Sequence, residues 1–122
     1  MRILKNRRFA KEAASSGLTD VNLKQAIAEV QKGLVDANLG GNLVKKRVAI
    51  GGRGKSAGLR TILVYKASEE NVFCVYLFAK SERANITQEE LDALKKLGKE
   101  YLSMNAKQIE LAIKENKLLE VE

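Results

Sequence analysis

The chain has 122 residues, 45% of them hydrophobic, with 22 Lys/Arg against 15 Asp/Glu, no His, no Pro, no Trp and one cysteine. That length suits one compact domain with a modest core, and no apolar run approaches the roughly 20 residues that a membrane-spanning helix needs. The lone Cys74 excludes an internal disulfide, and Met1-Arg2-Ile3-Leu4-Lys5 lacks the apolar stretch of a secretory signal, so a cytoplasmic protein is expected.

Asn6 to Ser16 reads as a short helix with Phe9, Ala10, Ala13 and Ala14 facing inward, ended by Gly17. Thr19 or Asp20 caps a second helix whose apolar stripe is Leu23, Ile27, Val30 and Leu34, with Gly33 marking its end. The turn-rich stretch 36–42 leads to three β-rich runs, Leu43 to Ile50, Leu59 to Ala67 and Asn71 to Lys80. Their short connections favour antiparallel pairing. The third run is apolar from Val72 to Ala79, so it is expected to be central and covered on both faces. Thr87-Gln88-Glu89-Glu90 is a capping box opening a helix with Leu91, Leu94, Leu97, Tyr101 and Leu102. Asn105 and Gln108 open another, bearing Ile109, Ala112 and Ile113, and Lys117 to Val121 is an edge strand or a tail. The order predicts an α+β fold.

The net charge of +7 is unevenly spread. Residues 1–60 hold thirteen Lys/Arg and four Asp/Glu, a net of +9, which leaves −2 for the rest. A local excess of this kind suits a surface that meets a polyanion, though a basic face kept for solubility has the same signature. The densest segment, Leu43 to Arg60, contains six basic residues and no acid. Lys45 and Arg47 alternate on one face of a strand, and Arg60 opens the next strand beside them. Mutual repulsion makes such a cluster easier to understand if a phosphate sits in it. Gly54-Lys55-Ser56 is not a nucleotide-binding P-loop: Ala49 stands where that motif needs its first glycine, and a β-rich run follows where it needs a helix. The glycines of 51–58 instead suggest a mobile loop that brings Arg53 and Lys55 onto a ligand.

Without histidine there is no His-based triad or base, and one cysteine with no histidine argues against a transition-metal site. The acids show no paired-carboxylate pattern of a glycosidase or two-metal nuclease. An enzyme built here must rely on Lys, Arg, Ser, Thr or Tyr, which fits phosphodiester chemistry and calls for no cofactor.

Leu39-Gly40-Gly41, Lys45-Lys46-Arg47, Gly54 to Arg60 and Phe78-Ala79-Lys80-Ser81-Glu82-Arg83, in that order, resemble the RelE-related toxins, particularly the HigB-like branch. The similarity runs from about Phe9 to the helix of Leu97. It implies a single toxin domain over 1–122, with 103–122 as a C-terminal extension. It also implies two N-terminal helices packed on a small antiparallel sheet, with C-terminal helices after it. The implied activity is cleavage of mRNA on the translating ribosome, and the implied partner is a cognate helix-turn-helix antitoxin. The glycine–aromatic–arginine that opens a RelE strand falls on Gly58-Leu59-Arg60. Two positions depart from the pattern: Thr87 replaces a tyrosine, and Ser81 an arginine used by some members.

On that resemblance Arg47, Lys55, Arg60 and Lys80 are the candidate catalytic residues, and Lys45, Lys46, Arg53 and Arg83 the candidate RNA-binding residues. The RNA 2′-OH would attack the adjacent phosphorus without a metal. Lys55 or Lys80 would act as base, since neighbouring cations favour a neutral lysine, with Tyr76 or Tyr65 as a fallback proton carrier. Arg60 and Arg47 would stabilise the phosphoryl oxygens. Few aromatics are free to stack bases, so weak base recognition by the protein alone is expected. The bland readings are that Tyr76 is core, that Lys80 snorkels at a strand end and that Arg60 pairs with an acid such as Glu90. Two further functions stay open: a ParE-like inhibitor of gyrase, and a non-catalytic RNA- or ribosome-binding module.

Overall fold

A computed structural model describes residues 1–50 and 58–122. Among them the elements run β1 (Arg2–Asn6), α1 (Arg7–Ser16), α2 (Asp20–Gln31), β2 (Ala37–Gly40), β3 (Leu43–Val48), β4 (Leu59–Val64), β5 (Asn71–Ala79), α3 (Gln88–Leu102), α4 (Ala106–Lys114) and β6 (Leu118–Glu120). The strands form one sheet in the order β2-β3-β4-β5-β1-β6. Every pairing is antiparallel except β1 with β5, which is parallel. The fold is α+β, with two N-terminal helices on the sheet and two helices after it, as expected from the sequence.

Side chains alternate across each strand, so the sheet buries two apolar surfaces. Phe9 and Ala13 of α1 and Leu23, Ile27 and Val30 of α2 pack on Val44, Val48, Leu63, Cys74 and Leu77. On the other face Leu94 of α3 and Ile109 of α4 pack on Leu43, Ile62, Val64 and Phe73. The sheet is therefore the middle of three layers. Side chains such as Phe9 and Phe73, each 1% exposed, contribute about 1.5–3 kcal/mol apiece by leaving water.

Local chemistry sets the element ends. The Asn6 side chain accepts from the Phe9 N–H and caps α1, and Gly17 ends it at φ +80°. Capping boxes open α2 (Thr19, Asn22), α3 (Thr87, Glu90) and α4 (Asn105, Gln108), each cap contributing roughly 1 kcal/mol. Gly41 and Asn42, both with positive φ, make the tight turn joining β2 to β3. The stretch expected to be only turn-rich is thus half of a hairpin.

The structure adds one strand, decides one open alternative and corrects two expectations. The opening residues form β1, whose partner β5 begins only at Asn71, too distant in sequence for a periodicity reading to pair them. The Lys117–Val121 segment resolves as β6, which lies along β1. Leu34 is not on the α2 stripe, because the chain turns at Gly33 (φ +86°) and leaves Leu34 57% exposed. Ala14 is also exposed rather than inward-facing.

One irregularity matters for the site. In the β4–β5 ladder Ile62 faces Tyr76 and Leu63 faces Cys74, so Val75 is an extra residue. This bulge lets Val75 and Tyr76 share the α3 face, and it carries Phe78 onto that face as well.

Candidate nucleic-acid interface

The ends of β3, β4 and β5 that lie together carry the basic residues. In register, Arg47 stands opposite Arg60, and Arg60 opposite Phe78; one step along, Lys45 stands opposite Ile62, and Ile62 opposite Tyr76. Lys45, Arg47 and Arg60 therefore share the α3 face of the sheet. Gly58 permits this closeness, since a Cβ there would lie 2.1 Å from the Val48 carbonyl oxygen.

Arg60 is only 6% exposed. Its guanidinium Nη1 donates to the Gly58 carbonyl at 3.4 Å, and among the described residues no acid forms an ion pair with it. The stretch 51–57 contains no Asp or Glu in its sequence. A buried cation without a carboxylate is costly, by several kcal/mol on a general scale, and an incoming anion relieves that cost. Glu90 does not serve it.

The other candidates differ from one another. The Arg47 N–H donates to Asp36 Oδ2 at 2.6 Å, and its Nε lies 3.5 Å from Oδ1 of the same carboxylate. That pair is partly exposed and weak, so a phosphate can displace it. Lys45 is half-buried and Lys80 exposed. Lys80 follows Ala79, which faces Leu59, and so stands at the Arg60 end of the sheet. Lys46 is turned to the opposite face, 5% exposed, with its Nζ 2.8 Å from Glu29 Oε1 of α2 and donating to the Leu34 carbonyl at 2.8 Å. It does not join the cluster, because neighbouring residues of a strand point to opposite sides. Arg53, Lys55 and the proposed mobile loop lie outside the described residues. Tyr65 sits at the far end of β4, where its N–H donates to the Asn42 carbonyl.

Arg83 belongs to a polar knot at the edge of this surface. Its guanidinium forks onto Glu90, Nη1 to Oε2 at 2.9 Å and Nη2 to Oε1 at 2.5 Å. The Tyr76 hydroxyl donates to Glu90 Oε2 at 2.6 Å and accepts from Arg83 Nη1 at 3.0 Å. The Thr87 N–H adds a fourth bond to the same carboxylate, at 2.8 Å. These donors, Arg83 first, hold the Glu90 carboxyl well below the usual carboxylate range. Burial, and then the Glu90 carboxylate, push the Tyr76 phenol up, so it keeps its proton at neutral pH. The guanidinium of Arg8 lies over the Tyr76 ring, 5.4 Å from its centroid.

A family model described as the RelE toxin of the RelE/RelB toxin–antitoxin system matches residues 1–121. The chain belongs to the RelE toxin family. A comparison with curated proteins gives no match. As a RelE toxin it is the toxin member of a toxin–antitoxin pair, and the family implies an antitoxin as partner. Among the described residues no helix is long and apolar enough to cross a membrane, and no three Cys, Asp or Glu residues gather as a metal-binding group.

In this RelE toxin the sequence pointed to Lys45, Arg47, Arg60 and Lys80, and the sheet brings them to one end. It did not point to Asp36, Arg8 or the Glu90 knot. The Thr87–Glu90 capping box was visible, but a carboxylate that caps its helix can also hold Arg83 and Tyr76, and that second use depends on β5, which is distant in sequence.

Proposed function

We propose that this RelE toxin is an mRNA endonuclease of the HigB-like kind, working in the cytoplasm on the translating ribosome. The observation that carries the reading is Arg60: a buried arginine with no acid partner among the described residues, in register with Arg47. A scissile phosphate fits that place, because two guanidiniums on neighbouring strands can fork onto its non-bridging oxygens. A gyrase inhibitor has no use for an anion seat there.

The substrate supplies its own nucleophile, so neither water nor a metal is needed for the first step. The ribose 2′-OH forms a bond to the adjacent phosphorus while the bond from phosphorus to the 5′-oxygen breaks. The products are a 2′,3′-cyclic phosphate and a 5′-hydroxyl. Lys80 is the candidate acceptor of the 2′-OH proton, with Lys55 the other. Tyr76 keeps its own proton and is the candidate donor to the departing 5′-oxygen, with Glu90 and Arg83 fixing its hydroxyl. Arg60 and Arg47 stabilise the charge that builds on the phosphoryl oxygens. Lys45, and Arg53 on the stretch 51–57, hold flanking phosphates; Arg83 does so only if it exchanges Glu90 for one.

The test is to map mRNA 5′ ends in a cell-free translation system supplied with the toxin. Codon-phased cuts that disappear with Arg60→Ala and fall with Lys80→Ala are the expected result. Intact mRNA, with or without inhibition of gyrase, contradicts the nuclease.

A further inference from the structure

β1 pairs with β5 only as far as Lys5 opposite Cys74, so among the described residues no strand lies beside the last residues of β5, Tyr76 to Ala79, on that side. The chain leaves β1 as α1, and α1 runs past this open edge. Between them lies a groove of about 300 Å³, lined on the helix by Arg8, Glu12, Ser15 and Ser16 and on the strand side by Tyr76 to Ala79, Glu82 and Arg83. Phe78 of the groove faces Arg60 in register, so the backbone that lines the groove lies one strand spacing, about 4.8 Å, from that of Arg60.

The lining does not suit a phosphate. It holds two carboxylates, Glu12 and Glu82, and its two guanidiniums are already engaged, Arg8 with Glu12 and Arg83 with Glu90. It does suit the edge of a base. Carboxylates accept only, and the base edge that presents adjacent N–H donors is the Watson–Crick edge of guanine, N1–H beside N2–H₂. Ser15 and Ser16 offer hydroxyls, the Arg8 guanidinium offers a flat cation for stacking, and the outward peptide groups of the β5 edge add donors and acceptors. The Arg8–Glu12 pair, 3.2 Å apart on exposed helix surface, is weak enough to open for a ligand.

We infer that the groove between α1 and the end of β5 is a base-reading subsite, which takes a splayed guanine next to the phosphate held by Arg60 and Arg47. The inference rests on RNA being the substrate, and it adds specificity residues, Glu12 and Glu82, that lie outside the cation cluster. The same carboxylates weigh against an acidic peptide as occupant.

The test is titration of the ¹⁵N-labelled full chain with the four ribonucleoside 5′-monophosphates, followed by amide shifts. Guanosine monophosphate is expected to move Ser15, Ser16, Leu77 and Glu82, with an apparent Kd about tenfold below that of adenosine monophosphate. Glu12→Gln with Glu82→Gln should erase the difference, and Ser15→Trp, which fills the groove from the helix side, should erase the groove shifts. Shifts confined to Arg47, Arg60 and their neighbours overturn the inference. So do equal groove shifts with all four nucleotides, no shifts at all, or groove shifts with an acidic peptide alone. Binding does not require cleavage: mRNA that stays intact in translation, alongside guanosine-selective groove shifts, sinks the nuclease and leaves the subsite standing. Cuts without such shifts do the reverse.

Discussion

Lys46 and Arg60 are both nearly inaccessible, on adjacent strands of one sheet, and their situations are opposite. Lys46 faces α2, where Glu29 and the Leu34 carbonyl satisfy its ammonium at 2.8 Å each, and the Thr61 hydroxyl bonds the Lys46 carbonyl at 2.9 Å. Arg60 faces the α3 side, where its described polar contact is a backbone carbonyl at 3.4 Å. A cation finished by its own protein is structural. A cation buried at the expense of stability and left without an acid is prepared for something else.

The comparison breaks if the two residues respond alike to substitution. The largest effect is expected for Arg60→Met, which keeps the apolar bulk and removes the charge. Cleavage in the translation assay should fall by about 100- to 1000-fold, as for loss of one donor to a developing oxyanion, while urea denaturation finds stability unchanged or raised. Lys46→Ala should give the contrary pattern. Loss of a buried ion pair and a carbonyl partner should cost about 3 kcal/mol in the same denaturation experiment, with cleavage per folded molecule retained.

Glu90→Gln sharpens the comparison at the border of the site. It weakens the hold on Tyr76 and Arg83 without touching the cation cluster, so kcat should fall about 10- to 100-fold, as misplacement of catalytic groups does, with KM little changed. Its stability should also lose an acid-side dependence. The folded Glu90 carboxyl titrates lower than in the unfolded chain, so its contribution is complete above the usual carboxylate range and is lost as pH falls below it. Wild type should therefore lose more stability than the glutamine variant between pH 5 and pH 2, roughly the span over which such a carboxylate is protonated, and denaturation at the two pH values reads the difference. The smallest effect concerns Cys74, fully buried, whose thiol burial pushes well above its ordinary value. Thiol reagents should leave the native protein unmodified and label it once unfolded.

The sequence made much of this legible where the physics is local. Caps, the α2 stripe from Leu23 to Val30 and the apolar run of β5 are short-range signals, and they placed the helices and three central strands. Alternation along Leu43–Val48 puts Lys45 and Arg47 on one face; the same alternation places Lys46 on the other, away from the phosphate contacts expected of it. What was not legible depends on distant partners. The parallel β1–β5 pair joins residues nearly seventy apart, as in Ile3 with Val72. The Val75 bulge leaves no trace in a run that is apolar at every position, yet it decides that Tyr76 and Phe78 share the face of Arg60. The open β5 edge beside α1 follows from where β1 stops, which is set by Asn6 turning the chain into a helix.

The central claim is that phosphate binds the Lys45–Arg47–Arg60 face and not the Lys46 face. The most direct measurement is the salt dependence of binding to a short RNA made uncleavable by 2′-O-methylation, for wild type, Lys45→Ala and Lys46→Met. Each phosphate contact with single-stranded RNA contributes about 0.7 to the slope of log K against log salt. The account predicts that Lys45→Ala lowers the slope by about 0.7 and that Lys46→Met leaves it at the wild-type value. A slope that drops with Lys46→Met and not with Lys45→Ala would contradict it.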